Sequence, residues 1–250
     1  MEFQALLGIA VPFLGTALGA GTVFFLKKIS DAFSSVLGGF AGGVMSAASV
    51  WSLIIPAIEW SGGLGVFAFL PAAVGFALGI FLFVVLDGIV PCISSRRGCG
   101  RTMLTLAVTV HNIPEGVAVG VVYAGLLSGI GAVSAASAFM LALGVGIQNF
   151  PEGAIISLPA AASGVGRGRA FFLGIVSALA ESVGAVLALA LSSIFLPALP
   201  YLLGFAAGAM IYVVVSELIP EAALGAKTRH ATIAFSAGFL LMMALDVALG

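Results

Sequence analysis

The sequence predicts an all-α polytopic membrane protein, and three features support this prediction. Of its 250 residues, 62% are hydrophobic and only 8% are charged, whereas a soluble domain typically carries about 25% charged residues. The mean hydropathy is +1.27. The apolar runs are long and uninterrupted, while β-barrel strands would alternate over about ten residues. A soluble globular fold and a disordered chain are therefore both excluded.

Eight apolar runs are long enough to cross a bilayer as helices, which takes about 20 residues each. We predict spans at about 3–26, 35–58, 64–90, 102–127, 132–160, 170–196, 201–222 and 231–249. Because the connections are short, we expect residues 1–250 to form a single transmembrane domain. No basic segment precedes the first run, so we do not expect it to be a cleaved signal peptide.

The basic residues predict the orientation of these spans. All nine Lys and Arg residues lie in or at the edge of alternate connections, at about 27–34, 91–101, 161–169 and 223–230. The positive-inside rule places these connections in the cytoplasm, so both termini are predicted outside. A net charge of -1 offers no basic surface for nucleic acid, and two cysteines form no disulfide framework.

Two pairs of spans contain matching segments. Span four contains HNIPEG at residues 111–116, and span five contains QNFPEG at residues 148–153. A fainter match relates GFAGGVM at residues 39–45 of span two to GFAAGAM at 204–210 of span seven. An Ile-Pro step follows each, at Pro56 and Pro220, with one residue of slip. Because spans two and seven run in opposite directions, this pattern indicates an inverted-topology repeat, which many secondary transporters have.

Three glutamates, Glu115, Glu152 and Glu181, lie near the middle of predicted spans. An ionised side chain at mid-membrane costs about 2.5 to 3.5 kcal/mol even on the lenient insertion scale. No Lys or Arg lies at the same depth in the predicted topology. The compensating positive charge must therefore come from protons or from a bound cation.

The residues around these glutamates predict a metal site. His111 and Glu115 lie four residues apart and share a helix face, and Gln148 and Glu152 repeat this spacing in the next span. Imidazole, carboxylate and amide ligands suit Zn²⁺, Fe²⁺, Mn²⁺, Co²⁺ or Cd²⁺, whereas Cu⁺ prefers Cys or several Met residues. One of these polar residues alone could be an interhelical hydrogen-bonding group, but their clustering favours the site.

Asparagines and prolines extend this pattern. Asn112 and Asn149 follow one residue after His111 and Gln148, about 100° around the helix, and could face a neighbouring second site. Pro114 and Pro151 lack an N–H group, which frees carbonyl oxygens one turn earlier. Five further carboxylates near span ends have either a capping or a pathway role: Glu59, Asp87, Glu217, Glu221 and Asp246.

With these motifs the sequence resembles the ZIP family of divalent-metal transporters, most closely its bacterial GufA-like branch. The resemblance covers nearly the whole chain and includes the eight spans, HNIPEG, QNFPEG, Glu181 within AESVGA, and ELIPE at residues 217–221. It implies a three-plus-two-plus-three helix arrangement with a two-metal centre between spans four, five and six. It also implies an elevator-like slide of spans one, four, five and six against the rest.

The resemblance also implies the ligands. The first metal site would use residues from spans two, four and five: Met45, His111, Glu115, Gln148 and Glu152. The second would use Asn112, Asn149 and Glu181, with Glu115 and Glu152 bridging the two sites.

Two departures from the family pattern concern the cytoplasmic face. Many members have a His immediately before the span-seven glutamate, where this chain has Ser216. The connection between spans three and four, often long and His-rich in the family, runs only from Cys92 to Gly100. We expect Cys92 and Cys99 to be reduced bystanders rather than ligands.

These observations predict a carrier that moves divalent transition-metal cations, Zn²⁺ foremost, into the cytoplasm by alternating access, in a bacterial cytoplasmic membrane. Its partners would be the metal ions and the lipid bilayer. A passive cation channel is the main alternative. An intramembrane metalloenzyme is disfavoured because the His-Glu-x-x-His motif is absent. Gly-x-x-x-Gly spacings, at Gly15 and Gly19, Gly38 and Gly42, and Gly204 and Gly208, allow close packing within the chain or in a homodimer.

Overall fold

The computed structural model describes residues 2–26, 30–93, 100–129, 133–162, 164–191, 198–224 and 228–249. All regular elements in these ranges are helical, in agreement with the predicted all-α class. The long helices are α1 (Glu2–Gly21), α2 (Asp31–Ala48), α4 (Phe69–Ile93), α5 (Gly100–Leu127), α6 (Ala135–Ala162), α7 (Arg167–Ala190), α8 (Leu199–Val213) and α10 (Thr228–Leu249). Short helices α3 (Ile55–Trp60) and α9 (Ile219–Leu224) continue α2 and α8 after π-helical segments, and 3₁₀ turns span Thr22–Phe24 and Gly62–Phe67.

Seven helical segments among the described residues are long and apolar enough to cross a membrane. They correspond to all the predicted spans except the fourth, for which α5 contains the apolar stretch Glu115–Leu127. Large apolar side chains on the outside of the helices remain exposed, for example Leu78, Val183 and Leu240. Such a surface is stable in lipid but not in water, so the chain is an integral, polytopic membrane protein.

The long helices form two groups. The helices α1, α5, α6 and α7 pack on one another and are called the site bundle here. The remaining long helices, α2, α4, α8 and α10, form the frame bundle, in which α2 packs on α10 and α4 packs on α8. Contacts between the bundles are made mainly by α2 with α6, α5 with α8, and α6 with α10. The boundary between the bundles is therefore less extensive than the packing within each.

The packing of the helix pairs follows the predicted repeat. Exchanging α1 with α7, α2 with α8, α4 with α10 and α5 with α6 converts each major pair into another: α1–α6 into α7–α5, and α2–α10 into α8–α4. The boundary contact α2–α6 likewise becomes α8–α5. Helices of the first three spans are thus related to those of the last three, with α5 and α6 between them.

Glycines bring the paired helices together. In α2, Gly39 and Gly43 face the backbone of α10 so closely that a Cβ atom on either would collide with it. The contacting glycines thus lie one residue later in the sequence than the predicted pair, Gly38 and Gly42. The other two predicted pairs pack as expected, Gly15 and Gly19 against α6, and Gly204 and Gly208 against α4. These contacts lie within one chain, and the homodimer stays a prediction.

Backbone irregularity lies in the frame bundle rather than at the predicted prolines. The helices α5 and α6 run without interruption through Pro114 and Pro151. The irregular segments are the π-helical turns Ser49–Ile54 and Val214–Leu218, which occupy equivalent positions in the repeat. The first has six residues and the second has five, which accounts for the slip between Pro56 and Pro220.

Candidate metal centre

The predicted polar residues meet in the middle of the site bundle. Each is at most 4% exposed: Asn112 and Glu115 on α5, Gln148, Asn149 and Glu152 on α6, and Glu181 on α7. Met45, on the frame helix α2, is fully buried, and α2 packs against α6. His111 is in helix α5, but its side chain lies outside the described part of the structure. The helix positions alone place it one turn from Glu115.

Two amide groups hold two of the carboxylates. The Nε2 of Gln148 donates to Oε1 of Glu115 at 2.7 Å, and this bond joins α6 to α5. The Nδ2 of Asn149 donates to Oε2 of Glu181 at 2.6 Å, and this bond joins α6 to α7. Hydrogen bonds to a charged acceptor are stronger than those between neutral groups. The amide nitrogens therefore hold both carboxylates in place.

Two further hydrogen bonds attach the asparagines to neighbouring helices at equivalent positions of the repeat. Asn112 Nδ2 donates to the Ser177 carbonyl at 3.3 Å and to its hydroxyl at 3.0 Å, on α7. Asn149 Nδ2 donates to the carbonyl of Pro12 at 3.4 Å, on α1. Ser177 was not singled out from the sequence. It lies one turn before Glu181, on the same helix face, and that spacing was the available signal.

Each amide nitrogen thus donates at least one hydrogen bond, and acceptor oxygens are left over. Among the described side chains, five buried oxygens of this cluster have no hydrogen-bond partner. They are the amide oxygens of Asn112, Gln148 and Asn149, and one carboxylate oxygen each of Glu115 and Glu181. Leaving a buried acceptor unsatisfied costs about 1 to 3 kcal/mol. A bound cation would satisfy several of these oxygens at once.

The charges of the cluster favour a cation as well. Glu152 interacts electrostatically with Glu115 and with Glu181, so three carboxylates share one buried region. The described Lys and Arg side chains with a defined environment, Arg167, Arg169 and Arg229, lie at the starts of α7 and α10. No basic side chain described at this depth offsets the carboxylates.

The cluster is not arranged as a finished coordination sphere in this conformation. No three His, Cys, Asp or Glu side chains in the described ranges converge as a metal-binding set. Gln148 and Asn149 each hold one carboxylate oxygen, that of Glu115 and that of Glu181. The second oxygen of each of these carboxylates has no hydrogen-bond partner, so it could bind an ion while the amide bond is kept.

A cavity of about 500 Å³ opens between the two bundles, at the end where α5 finishes and α6 begins. Its lining includes Glu59 and Asp246, two of the carboxylates whose role the sequence left open. The hydroxyl of Ser52 donates to Asp246 at 2.8 Å (Oδ1) and 3.0 Å (Oδ2). The sequence offered no clear signal for Ser52, because a single serine in an apolar span is common. The side chains of Asp87, Glu217 and Glu221 lie outside the description, as do Cys92's side chain and Cys99.

Comparisons with known proteins identify the family. The sequence profile described as ZIP Zinc transporter matches residues 94–246. Zinc transporter ZIPB of Bordetella bronchiseptica is 39% identical, over 98% of this chain and 81% of its own length. Zinc transporter GufA of Myxococcus xanthus is 38% identical over 94% of each protein, and zinc transporter ZIP11 of Homo sapiens is 33% identical over 99% of this chain and 98% of its own. The chain therefore belongs to the ZIP family, a family of transporters and not of enzymes.

Proposed function

We propose that this protein carries divalent transition-metal cations, Zn²⁺ foremost, across a membrane into the cytoplasm. One observation carries the proposal: among the described side chains, the cluster holds five buried oxygens without a hydrogen-bond partner, one each on Asn112, Glu115, Gln148, Asn149 and Glu181, while each amide nitrogen beside them donates a hydrogen bond. A site with acceptors in excess suits a cation. The names of the relatives, which are zinc transporters, favour Zn²⁺ over the other metals that such ligands accept.

The metal would occupy two neighbouring positions. The first would be bound by Glu115, Gln148 and Glu152, with His111 and Met45 completing it. The second would lie toward α7, bound by the oxygens of Asn112, Asn149 and Glu181, while the carboxylates of Glu115 and Glu152 bridge the two. The orientation of the amides supports this division, because their nitrogens face other groups and their oxygens remain available.

The two bundles suggest how the ion is moved. Apart from Met45, the candidate ligands all belong to the site bundle, so this bundle could carry the ion as one body. The repeat makes the boundary contacts α2–α6 and α5–α8 equivalent. A slide that exchanges one contact for the other would close the outer cavity and open the site at the opposite face, as alternating access requires.

The direction of transport follows from the predicted orientation. Arg167 and Arg229 lie at the starts of α7 and α10, and the cavity with Asp246 lies near the other end of α10. If the basic ends face the cytoplasm, the cavity faces outward, and both termini are outside. We propose that the chain is a single transmembrane domain in a bacterial cytoplasmic membrane.

The test is Zn²⁺ flux into liposomes that contain the purified protein. Glu152→Gln keeps the volume of the side chain but removes its charge, and we expect it to abolish flux. Ser236→Ala, on an exposed position of α10, is the matched control and should transport like the wild type. Equal flux through the wild type and Glu152→Gln would overturn the site assignment. Flux that does not saturate with Zn²⁺ concentration would indicate the channel instead.

A further inference from the structure

A buried methionine lies between the outer cavity and the candidate metal site. Met242 of α10 is 0% exposed, and its Sδ and Cε atoms fill the space beside Gly144 of α6 so closely that a Cβ there would collide with both. Gly144 lies one turn before Gln148, on the same side of α6. The thioether of Met242 is therefore held against α6, about one turn outward from the amide of Gln148.

On its own helix, Met242 lies one turn deeper than the cavity carboxylate. Asp246 follows it by four residues and lines the cavity. The hydroxyl of Ser52, on the α2 side, reaches Asp246 at 2.8 Å, which places these two residues at one level. Met45 precedes Ser52 by two turns and is deeper still. From the cavity inward, the order is Asp246, Met242, Met45 and the site.

Along this order, the available ligand atoms change from carboxylate oxygen to thioether sulfur. Carboxylate oxygen is a hard ligand that suits ions such as Mn²⁺, whereas thioether sulfur is a soft ligand that favours softer ions such as Cd²⁺. A leucine at position 242 would fill the same space without sulfur. Burial strengthens the interaction between a ligand atom and the ion, because water no longer competes for the ion.

We propose that Met242 is a thioether ligand for the metal ion as it passes from the outer cavity to the site, and that it favours softer divalent ions. This inference rests on the proposed function. It concerns a residue that is not among the proposed site ligands. Its readout is the ratio of the fluxes for different metals rather than the flux itself.

The experiment compares Cd²⁺, Zn²⁺ and Mn²⁺ flux, as a function of concentration, in liposomes with the wild type and with Met242→Leu. Exchanging Met for Leu changes volume little and is usually tolerated in a core. Loss of one ligand should lower Cd²⁺ flux below saturation by roughly tenfold, while Mn²⁺ flux stays within about twofold. Met243→Leu, at the next residue of α10, whose side chain points about 100° away from that of Met242, should leave the ratio unchanged.

Met242→Cys keeps a sulfur at this position and should retain the preference for Cd²⁺ even if it transports more slowly. An equal fall for all three metals in Met242→Leu would mean that the residue only packs, and would overturn the inference. An unchanged Cd²⁺ to Mn²⁺ ratio would overturn it too. If Glu152→Gln transported like the wild type, the site assignment of the proposed function would fail, whatever the ratio in Met242→Leu.

Discussion

The site bundle and the frame bundle differ in the side chains that join their helices. The site bundle has a polar interior, in which Gln148 and Asn149 join α6 to both neighbouring helices. Close glycine contacts occur in both bundles, and the frame bundle adds aromatic pairs such as Trp51 with Phe239, whose ring centres are 5.5 Å apart. Its described side-chain hydrogen bond between long spans is the one from Ser52 to Asp246.

The two bundles also differ in the regularity of their helical backbones. The helices α5 and α6 are regular even through their prolines, while the frame helices α2 and α8 both change to π-helical turns before their Ile-Pro steps. The polar side chains of the candidate site thus lie on regular helices, and irregular backbone lies on the helices that face them across the boundary. A regular scaffold holds ligands in place, whereas π turns are often found at functional sites.

The largest effect should come from separating two helices of the site bundle. A Cβ at Gly116 would collide with the backbone of α7 at Glu181, so Gly116→Val must push α5 away from α7. We expect a loss of stability of about 3 kcal/mol and no remaining flux, as measured by thermal unfolding in detergent and by Zn²⁺ uptake.

Gly62→Val is the control for this change, because nothing lies within 4 Å of a Cβ at Gly62. It should unfold at the temperature of the wild type. If Gly116→Val were as stable as Gly62→Val, the close packing of α5 on α7 would be wrong, and the contrast between a tightly held site bundle and its surroundings would lose its basis.

The next largest effect concerns the polar interior itself. Gln148→Leu replaces the amide with an apolar group and so removes both the amide oxygen and the bond to Glu115. We expect Zn²⁺ affinity to fall roughly 10-fold to 100-fold, measured by isothermal titration of the purified protein. Thr232→Ala, at an exposed hydroxyl of α10 that bonds only to its own helix, is the control. A wild-type affinity in Gln148→Leu would exclude the amide from the site.

A smaller effect is expected in the frame bundle. Asp246→Asn preserves the shape of the side chain and its contact with Ser52 but removes the charge beside the cavity between the bundles. If Asp246 only gathers ions for the site, the concentration for half-maximal flux should rise several-fold while the maximal flux is unchanged. A fall in the maximal flux instead would place Asp246 within the moving step, and the division of roles between the bundles would fail.

The sequence was informative where polar residues interrupt apolar spans. Glu115, Glu152 and Glu181 stand out because burying a charge in lipid is expensive, and the structure buries all three together. The repeat was also visible, since Gly, Asn and Pro at fixed spacing leave a recognisable pattern. The fold class and the burial of these three carboxylates could therefore be predicted.

Other features could not be read in this way, because they depend on which helices pack together. The choice of Gly39 over Gly38 as the contact with α10 is set by the rotation of α2, and both residues look alike in the sequence. Likewise, Met242 and Ser52 are ordinary residues of apolar spans until α10 is placed beside α2 and α6. The use of the amide nitrogens, and hence the free oxygens, also emerges only from the packed structure.

The smallest effect tests how the amide orientation is maintained. Ser177→Ala removes the hydroxyl that accepts from Asn112 at 3.0 Å, but the carbonyl of the same residue, at 3.3 Å, remains as an acceptor. We expect a loss of about 1 kcal/mol in stability and only a small change in Zn²⁺ affinity, because the amide oxygen still faces the site. A large loss of affinity would show that the hydroxyl alone orients Asn112. The backbone of α7 would then not be enough to position the ligands, and the rigidity ascribed to the site bundle would rest on its side chains.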